Sequence, residues 1–138
     1  MNKENTQKLL QSFPRLYRSE AEGARETQMH WGFQCGDGWF RLIYDLSAEI
    51  ESEAVKLGLD PESDEWPLPA QIKEKFGTLR YYMRVHFESI FDIIAKYEDK
   101  SEHTCESCGL AGTLRRDGWH HVSCDPCEEK IRAGVFRQ

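Results

Sequence analysis

The sequence has no long apolar run, no internal repeat and no low-complexity tract. Nowhere does it approach the roughly 18 consecutive apolar residues of a bilayer-spanning helix, so no membrane association is expected. Its opening residues are polar and lack the apolar stretch of a secretory signal, and the chain reads as soluble and cytoplasmic. Positive charge is also short: 18 Lys and Arg against 24 Asp and Glu leave a net charge of -6. Such a chain has no general attraction for phosphate backbones, and nucleic-acid binding would require a local basic patch. Cysteine is odd in number, five in 138 residues. In a reducing compartment an odd set argues against a disulfide framework and leaves the thiols free unless a metal takes them.

What is present suffices for a core. Hydrophobic residues make up 39% and aromatic residues 12%, and the length fits a domain of about 100 residues with a small appended module. Leu9, Leu10, Phe13, Leu16 and Tyr17 form a helical stripe interrupted by Pro14, so a short helix should stop near Ser12. Residues 18–27 are polar and read as a loop. In "MHWGFQC" Met29, Trp31, Phe33 and Cys35 alternate with His30, Gly32 and Gln34, the pattern of a strand with one buried face. Asp37 is placed to N-cap a helix with the inner stripe Trp39, Leu42, Ile43, Leu46, Ile50 and Ala54, stopped by Gly58. Phe87, Ile90, Phe91, Ile94 and Tyr97 define a second long helix ending near Ser101.

Between these helices, Leu79, Tyr81, Met83 and Val85 alternate with Arg80, Tyr82, Arg84 and His86 as in a strand. Residues 70–76 suit either a strand or a helix. As a strand they form a hairpin with Gly77-Thr78 at the turn, which sets Phe76 opposite Leu79, Glu74 opposite Tyr81, Lys75 opposite Arg80 and Lys73 opposite Tyr82. Residues 73–84 carry Lys73, Lys75, Arg80 and Arg84 against Glu74, a local +3 in a chain of -6. With Tyr82 on the same face, they are the candidate ligand-binding residues for nucleic acid, a nucleotide or an acidic partner. The plainer reading is that Glu49, Glu51 and Glu53 neutralise them.

The last third carries the strongest motif. Cys105-x2-Cys108 and Cys124-x2-Cys127 are separated by fifteen residues, a spacing suited to a four-cysteine zinc site. Gly109 follows the first pair, where positive φ is needed, Asp117-Gly118 signals a type I′ hairpin, and Pro126, Glu128 and Glu129 favour a helix start. Turn, hairpin and helix in that order resemble a treble clef. Four thiolates close the coordination shell, so Cys105, Cys108, Cys124 and Cys127 are expected to hold a structural Zn2+.

Two further features are weighed against plain structural readings. His120 and His121 could serve as a general base, as in His-Asn-His nucleases, but the following helix offers neither His nor Asn and no partner is evident, so ordinary hairpin residues are preferred. Cys35 in "CGDGW" could be a low-pKa thiol beside an anion cradle, yet nothing supplies a base, and a buried cysteine beside a glycine-flanked cap is preferred.

Together "CGDGW", "KEKFGTLRYY", "CESCG" and "CDPC" resemble a group of small, uncharacterised bacterial and bacteriophage proteins, over about residues 31 to 127. The resemblance implies an accessory protein and no particular activity. The expected architecture is α+β: residues 1–101 as a small antiparallel sheet packed on two long helices, and residues 102–138 as the treble-clef-like zinc module. The expected function is non-enzymatic binding or regulation through a protein partner. Recognition of nucleic acid or a nucleotide by the basic hairpin is the alternative, and metal-dependent hydrolysis a third reading.

Overall fold

The computed structural model describes residues 1–21, 29 and 32–134. Among them the order is α1 (Lys3–Ser12), α2 (Arg18–Ala21), β1 (Phe33–Gln34), a 3-10 turn (Asp37–Trp39), α3 (Phe40–Lys56), β2 (Pro69–Lys75), β3 (Thr78–Met83), α4 (Glu88–Ser101), β4 (Thr113–Arg115), β5 (His121–Ser123) and α5 (Asp125–Arg132). The chain is thus mixed α+β, with four cysteines gathered toward its C-terminal end. No described helix is long and apolar enough to cross a membrane.

Capping and breaking residues set the first elements. The Asn2 side chain accepts the Asn5 N–H at 2.8 Å, which caps α1, and Pro14 follows its end. The expected loop at residue 18 begins as the short helix α2, whose Arg18 guanidinium donates to the Arg15, Trp66 and Pro67 carbonyls. Asp37 does not cap its own helix as expected. It opens the 3-10 turn, and its Oδ1 accepts from the Asn2 backbone at 2.7 Å and the Asn5 amide at 3.2 Å, tying the start of α1 to the approach of α3.

The three-stranded sheet has the order β1-β2-β3 and is mixed, which corrects the expected antiparallel sheet. β1 runs parallel to β2, with Phe33 beside Ile72 and Gln34 beside Lys73. The cause is the helix between them: parallel neighbours need a long crossover, and α3 provides it. The strand expected over residues 29–35 is shorter than that: within Phe33–Gln34, Phe33 is buried and Gln34 exposed, Met29 and Cys35 are buried outside the strand, and His30 and Trp31 lie outside the described residues.

Residues 69–75 are strand, and their register with β3 differs by two residues from the expected one. Lys73 faces Arg80, Glu74 faces Leu79, Ile72 faces Tyr81 and Gln71 faces Tyr82. The turn residues are Phe76 and Gly77, with φ of 53° and 89°, as a type I′ turn requires, rather than Gly77 and Thr78. Glu74 accepts the Gly77 N–H at 2.7 Å, and a β-carbon at Gly77 would lie 2.5 Å from a Leu114 methyl, so the turn is fixed by its docking on the β4–β5 hairpin. A two-residue slip leaves the faces unchanged, and Ile72, Leu79 and Tyr81 stay buried.

The core joins Leu9, Leu16 and Tyr17 to the inner stripe of α3, to the sheet, and to Ile90, Ile94 and Tyr97 of α4. Phe91, expected on that inner face, is 45% exposed. Buried hydroxyls find partners, Tyr17 with Ser47 at 2.6 Å and with Tyr81 at 2.8 Å. α4 also covers the outer edge of β3: Ser101 Oγ accepts from Leu79 N at 2.9 Å, and Glu98 from Tyr81 N at 3.0 Å. An edge strand so occupied cannot recruit a further strand.

Candidate metal centre and the hairpin tips

Cys105, Cys108, Cys124 and Cys127 come together, and their sulfurs all lie within 4.8 Å of one another. Cys108 and Cys124 are 3.6 Å apart, far beyond a disulfide bond and close to the roughly 3.8 Å edge of a tetrahedron with 2.3 Å metal–sulfur bonds. The four residues can therefore hold a metal ion.

Local structure explains the convergence. The first pair sits on a turn in which Gly109, at φ 83°, donates its N–H to the Cys105 carbonyl at 2.9 Å. Cys124 precedes α5 and Cys127 lies in its first turn, with Pro126 in the tolerated position. Burial opposes ionisation of Cys105, but the N–H groups of Cys124, Cys108 and Ser107 pointing at its sulfur bring its pKa down to about 7. For Cys127, burial and the neighbouring thiols push the other way and raise it. A dication held by the four sulfurs would reverse that opposition, because it binds thiolates.

The hairpin between the cysteine pairs also departs from expectation. Thr113 pairs with Ser123, Leu114 with Val122 and Arg115 with His121, so residues 116–120 form a five-residue connection and not a two-residue Asp117-Gly118 turn.

The "CGDGW" segment proves to be a clasp for the first cysteine turn. Gly36 N–H donates to the Glu106 carboxylate at 2.8 Å, Gly38 N–H donates to the Glu106 carbonyl at 2.8 Å, and the Trp39 indole donates to the Thr104 carbonyl at 2.9 Å. The anion in this cradle is the chain's own Glu106, whose pKa is raised by burial. Cys35 is no reactive thiol, since burial pushes it up to about 12.

His121 has a partner that the sequence reading missed. Its Nε2 lies 2.6 Å from Glu128 Oε1 and its Nδ1 lies 3.0 Å from the Trp119 carbonyl, so both ring nitrogens face acceptors. Ser123 and Arg132 also donate to Glu128, at 2.8 and 2.9 Å. Burial alone would raise the Glu128 carboxyl, but the bonds from His121, Ser123 and Arg132 bring it down to about 2. With both nitrogens occupied and the ring 4% exposed, His121 locks β5 to α5 and offers no nitrogen to a substrate. His120 is half-buried beside it.

The five candidate ligand residues are only partly brought together. Lys73, Lys75, Arg80 and Tyr82 share the face of the hairpin opposite Ile72, Leu79 and Tyr81. Arg84 lies beyond the end of β3, its N–H donated to the Leu68 carbonyl at 2.9 Å. Glu49 binds Lys96 and Tyr97 instead of the hairpin, and among the described residues Lys73, Lys75 and Arg80 form no ion pair with Glu49, Glu51 or Glu53. Arg80 turns back on its own strand, donating to Thr78 Oγ1 at 2.5 Å.

Two aromatic residues stand at the hairpin tips: Phe76, expected on the inner face opposite Leu79 but placed in the turn, and Trp119, not singled out from the sequence. Phe76 is 68% exposed and Trp119 is 46% exposed, and both line one cleft where the two hairpins meet. The available signal was an aromatic residue beside a turn glycine, in "KFGT" and in "DGW". Comparison with protein-family models, with curated proteins and with solved structures returned no match to this chain.

Proposed function

We propose that the chain is a non-enzymatic, zinc-stabilised binding protein that engages a protein partner through its paired hairpin tips. The turn at Cys105–Cys108, the β4–β5 hairpin and the start of α5 then form a treble-clef-like unit around Zn2+, and the three-stranded sheet with α3 and α4 carries the other hairpin. In this reading residues 102–138 are the appended zinc module of a phage or bacterial accessory protein. Four thiolate ligands leave zinc no open position for substrate, so the metal acts as a strut.

The observation that carries the reading is Phe76. A bulky residue in left-handed backbone is strained, and one that is also exposed gains little from burial. Phe76 lines one cleft with Trp119, and exposed aromatic side chains are enriched at protein interfaces. The test is capture from host lysate by the metal-loaded protein, with and without nuclease treatment, against Phe76→Ala. A partner retained after nuclease and lost with Phe76→Ala supports the reading, and a partner lost after nuclease overturns it.

A second reading has its own support. Lys73 directly opposes Arg80, an unfavourable pairing that a bound phosphate would relieve, and Tyr82 lies on the same face. Binding of a single-stranded oligonucleotide that weakens steeply with salt and is abolished by Arg80→Glu would favour it.

A further inference from the structure

The cleft between the hairpin tips has a volume of about 470 Å³ and is lined by Glu74, Phe76, Gly118, Trp119 and His120. It lies on the side of the hairpin away from Lys73, Arg80 and Tyr82, because Glu74 alternates with Lys73 and Lys75 along β2.

One aromatic wall is held in place. The Trp119 ring stacks on His121 at 3.8 Å with an interplanar angle of 17°, and His121 is itself fixed by Glu128 and the Trp119 carbonyl. Such a wall loses little freedom when a ligand arrives. Phe76 supplies the second wall; the chain's own Lys75 ammonium lies 5.8 Å from its ring centroid, which shows that the ring accepts a cation and that an incoming one shares it with Lys75.

The polar side chains lining this cleft are the Glu74 carboxylate and the His120 imidazole, and the carboxylate is its acidic group. Glu74 gives one oxygen to the Gly77 N–H and forms no ion pair among the described residues. A carboxylate that shares a cleft with aromatic rings repels anions and attracts cations, because the ring quadrupole is negative on its faces. A ligand suited to it has an apolar stem and a positive head, as arginine and lysine side chains do.

We infer that this cleft receives a guanidinium or ammonium side chain, an Arg or Lys, from the partner protein. The stem lies along Phe76 and Trp119, and the head pairs with Glu74. The inference rests on the protein-partner reading and adds the chemistry of the contact.

The test uses the full-length, metal-loaded protein and capped tripeptides, Gly-Arg-Gly, Gly-Lys-Gly and Gly-Glu-Gly, titrated by NMR while following the Trp119 indole and the amides of residues 74–77. The Arg and Lys peptides should give saturable shifts and the Glu peptide none. Glu74→Gln, which keeps an acceptor for Gly77, should weaken the Arg peptide about tenfold, the value of one lost charge-assisted contact. Equal shifts from the Glu and Arg peptides, no saturable shift, or unchanged affinity in Glu74→Gln at normal metal content would overturn the inference. Lysate capture that depends on Phe76 but not on Glu74 would overturn the cation slot alone and leave the binding-protein reading standing.

Discussion

Gly38 donates its N–H to the Glu106 carbonyl at 2.8 Å, and a β-carbon at Gly38 would lie 2.2 Å from the carbonyl oxygen of Cys105. Backbone lies against backbone here, so no side chain can swing aside. Gly38→Ala should therefore push the first cysteine turn off the α3 approach and destabilise the fold by about 1–3 kcal/mol, as overpacking does. Thermal unfolding would report the loss, and faster metal release to a chelator would show that the clasp bears on the metal centre.

Metal removal should reach further than the four sulfurs. Glu106 N–H donates to the Val122 carbonyl at 3.1 Å while its side chain and carbonyl hold Gly36 and Gly38, so the cysteine turn joins β5 to the 3-10 turn. Structural zinc contributes on the order of 10 kcal/mol in small modules, more than these hydrogen bonds can replace. Chelation, or Cys108→Ser, should abolish hydrogen-exchange protection across residues 105–132 and raise exchange at Gly36 and Gly38. Elemental analysis should find one zinc per chain before chelation.

The His121–Glu128 pair gives a third test. Each partner is nearly buried, so deleting one strands the other without water to replace it. Glu128 retains Ser123 and Arg132, which limits the damage. His121→Ala and Glu128→Gln should each cost about 3 kcal/mol, and the double variant clearly less than the sum, measured by chemical denaturation as a double-mutant cycle.

Much of this architecture was legible. Leu42, Ile43, Leu46 and Ile50 are buried as the period of α3 requires, and the two Cys-x-x-Cys turns converge as their spacing implies. What was hidden depends on contacts distant in sequence. The parallel pairing of β1 with β2 follows from where α3 delivers the chain, which no local pattern encodes. The hairpin register turned on Phe76, whose left-handed backbone runs against its propensity and is imposed by the docking of Gly77 on Leu114. Glu128 reads as a helix-start acid from its position, although it is the buried anchor of His121. "CGDGW" could be read as a cradle, but its anion sits 70 residues away in Glu106.

The contact between α3 and α4 should be pH-dependent. Glu49 accepts from Lys96 at 2.7 Å and from the Tyr97 hydroxyl, and these bonds lower its pKa in the folded state. A lowered folded pKa stabilises above the unfolded value and is lost as pH falls through the folded one. The stability difference between the native chain and Glu49→Gln should be largest near pH 7 and shrink as pH falls below the ordinary glutamate range. Because the pair is partly exposed, added salt should reduce the difference at pH 7.

Phe76 allows stability and binding to be separated. At φ 53° in the first central position of a type I′ turn, a phenylalanine sits where asparagine is favoured, and left-handed backbone costs an ordinary L-residue about 1–2 kcal/mol. The exposed ring recovers little of that by burial. Phe76→Asn, which creates Asn-Gly at the turn, should stabilise the fold by about 1 kcal/mol and raise the melting temperature, with metal content unchanged. If the hairpin tip is the contact surface, the same variant should lose the captured partner. A chain more stable yet unable to bind would show that the strain is kept for function, whereas a destabilised Phe76→Asn would mean that the aromatic ring supports the fold itself.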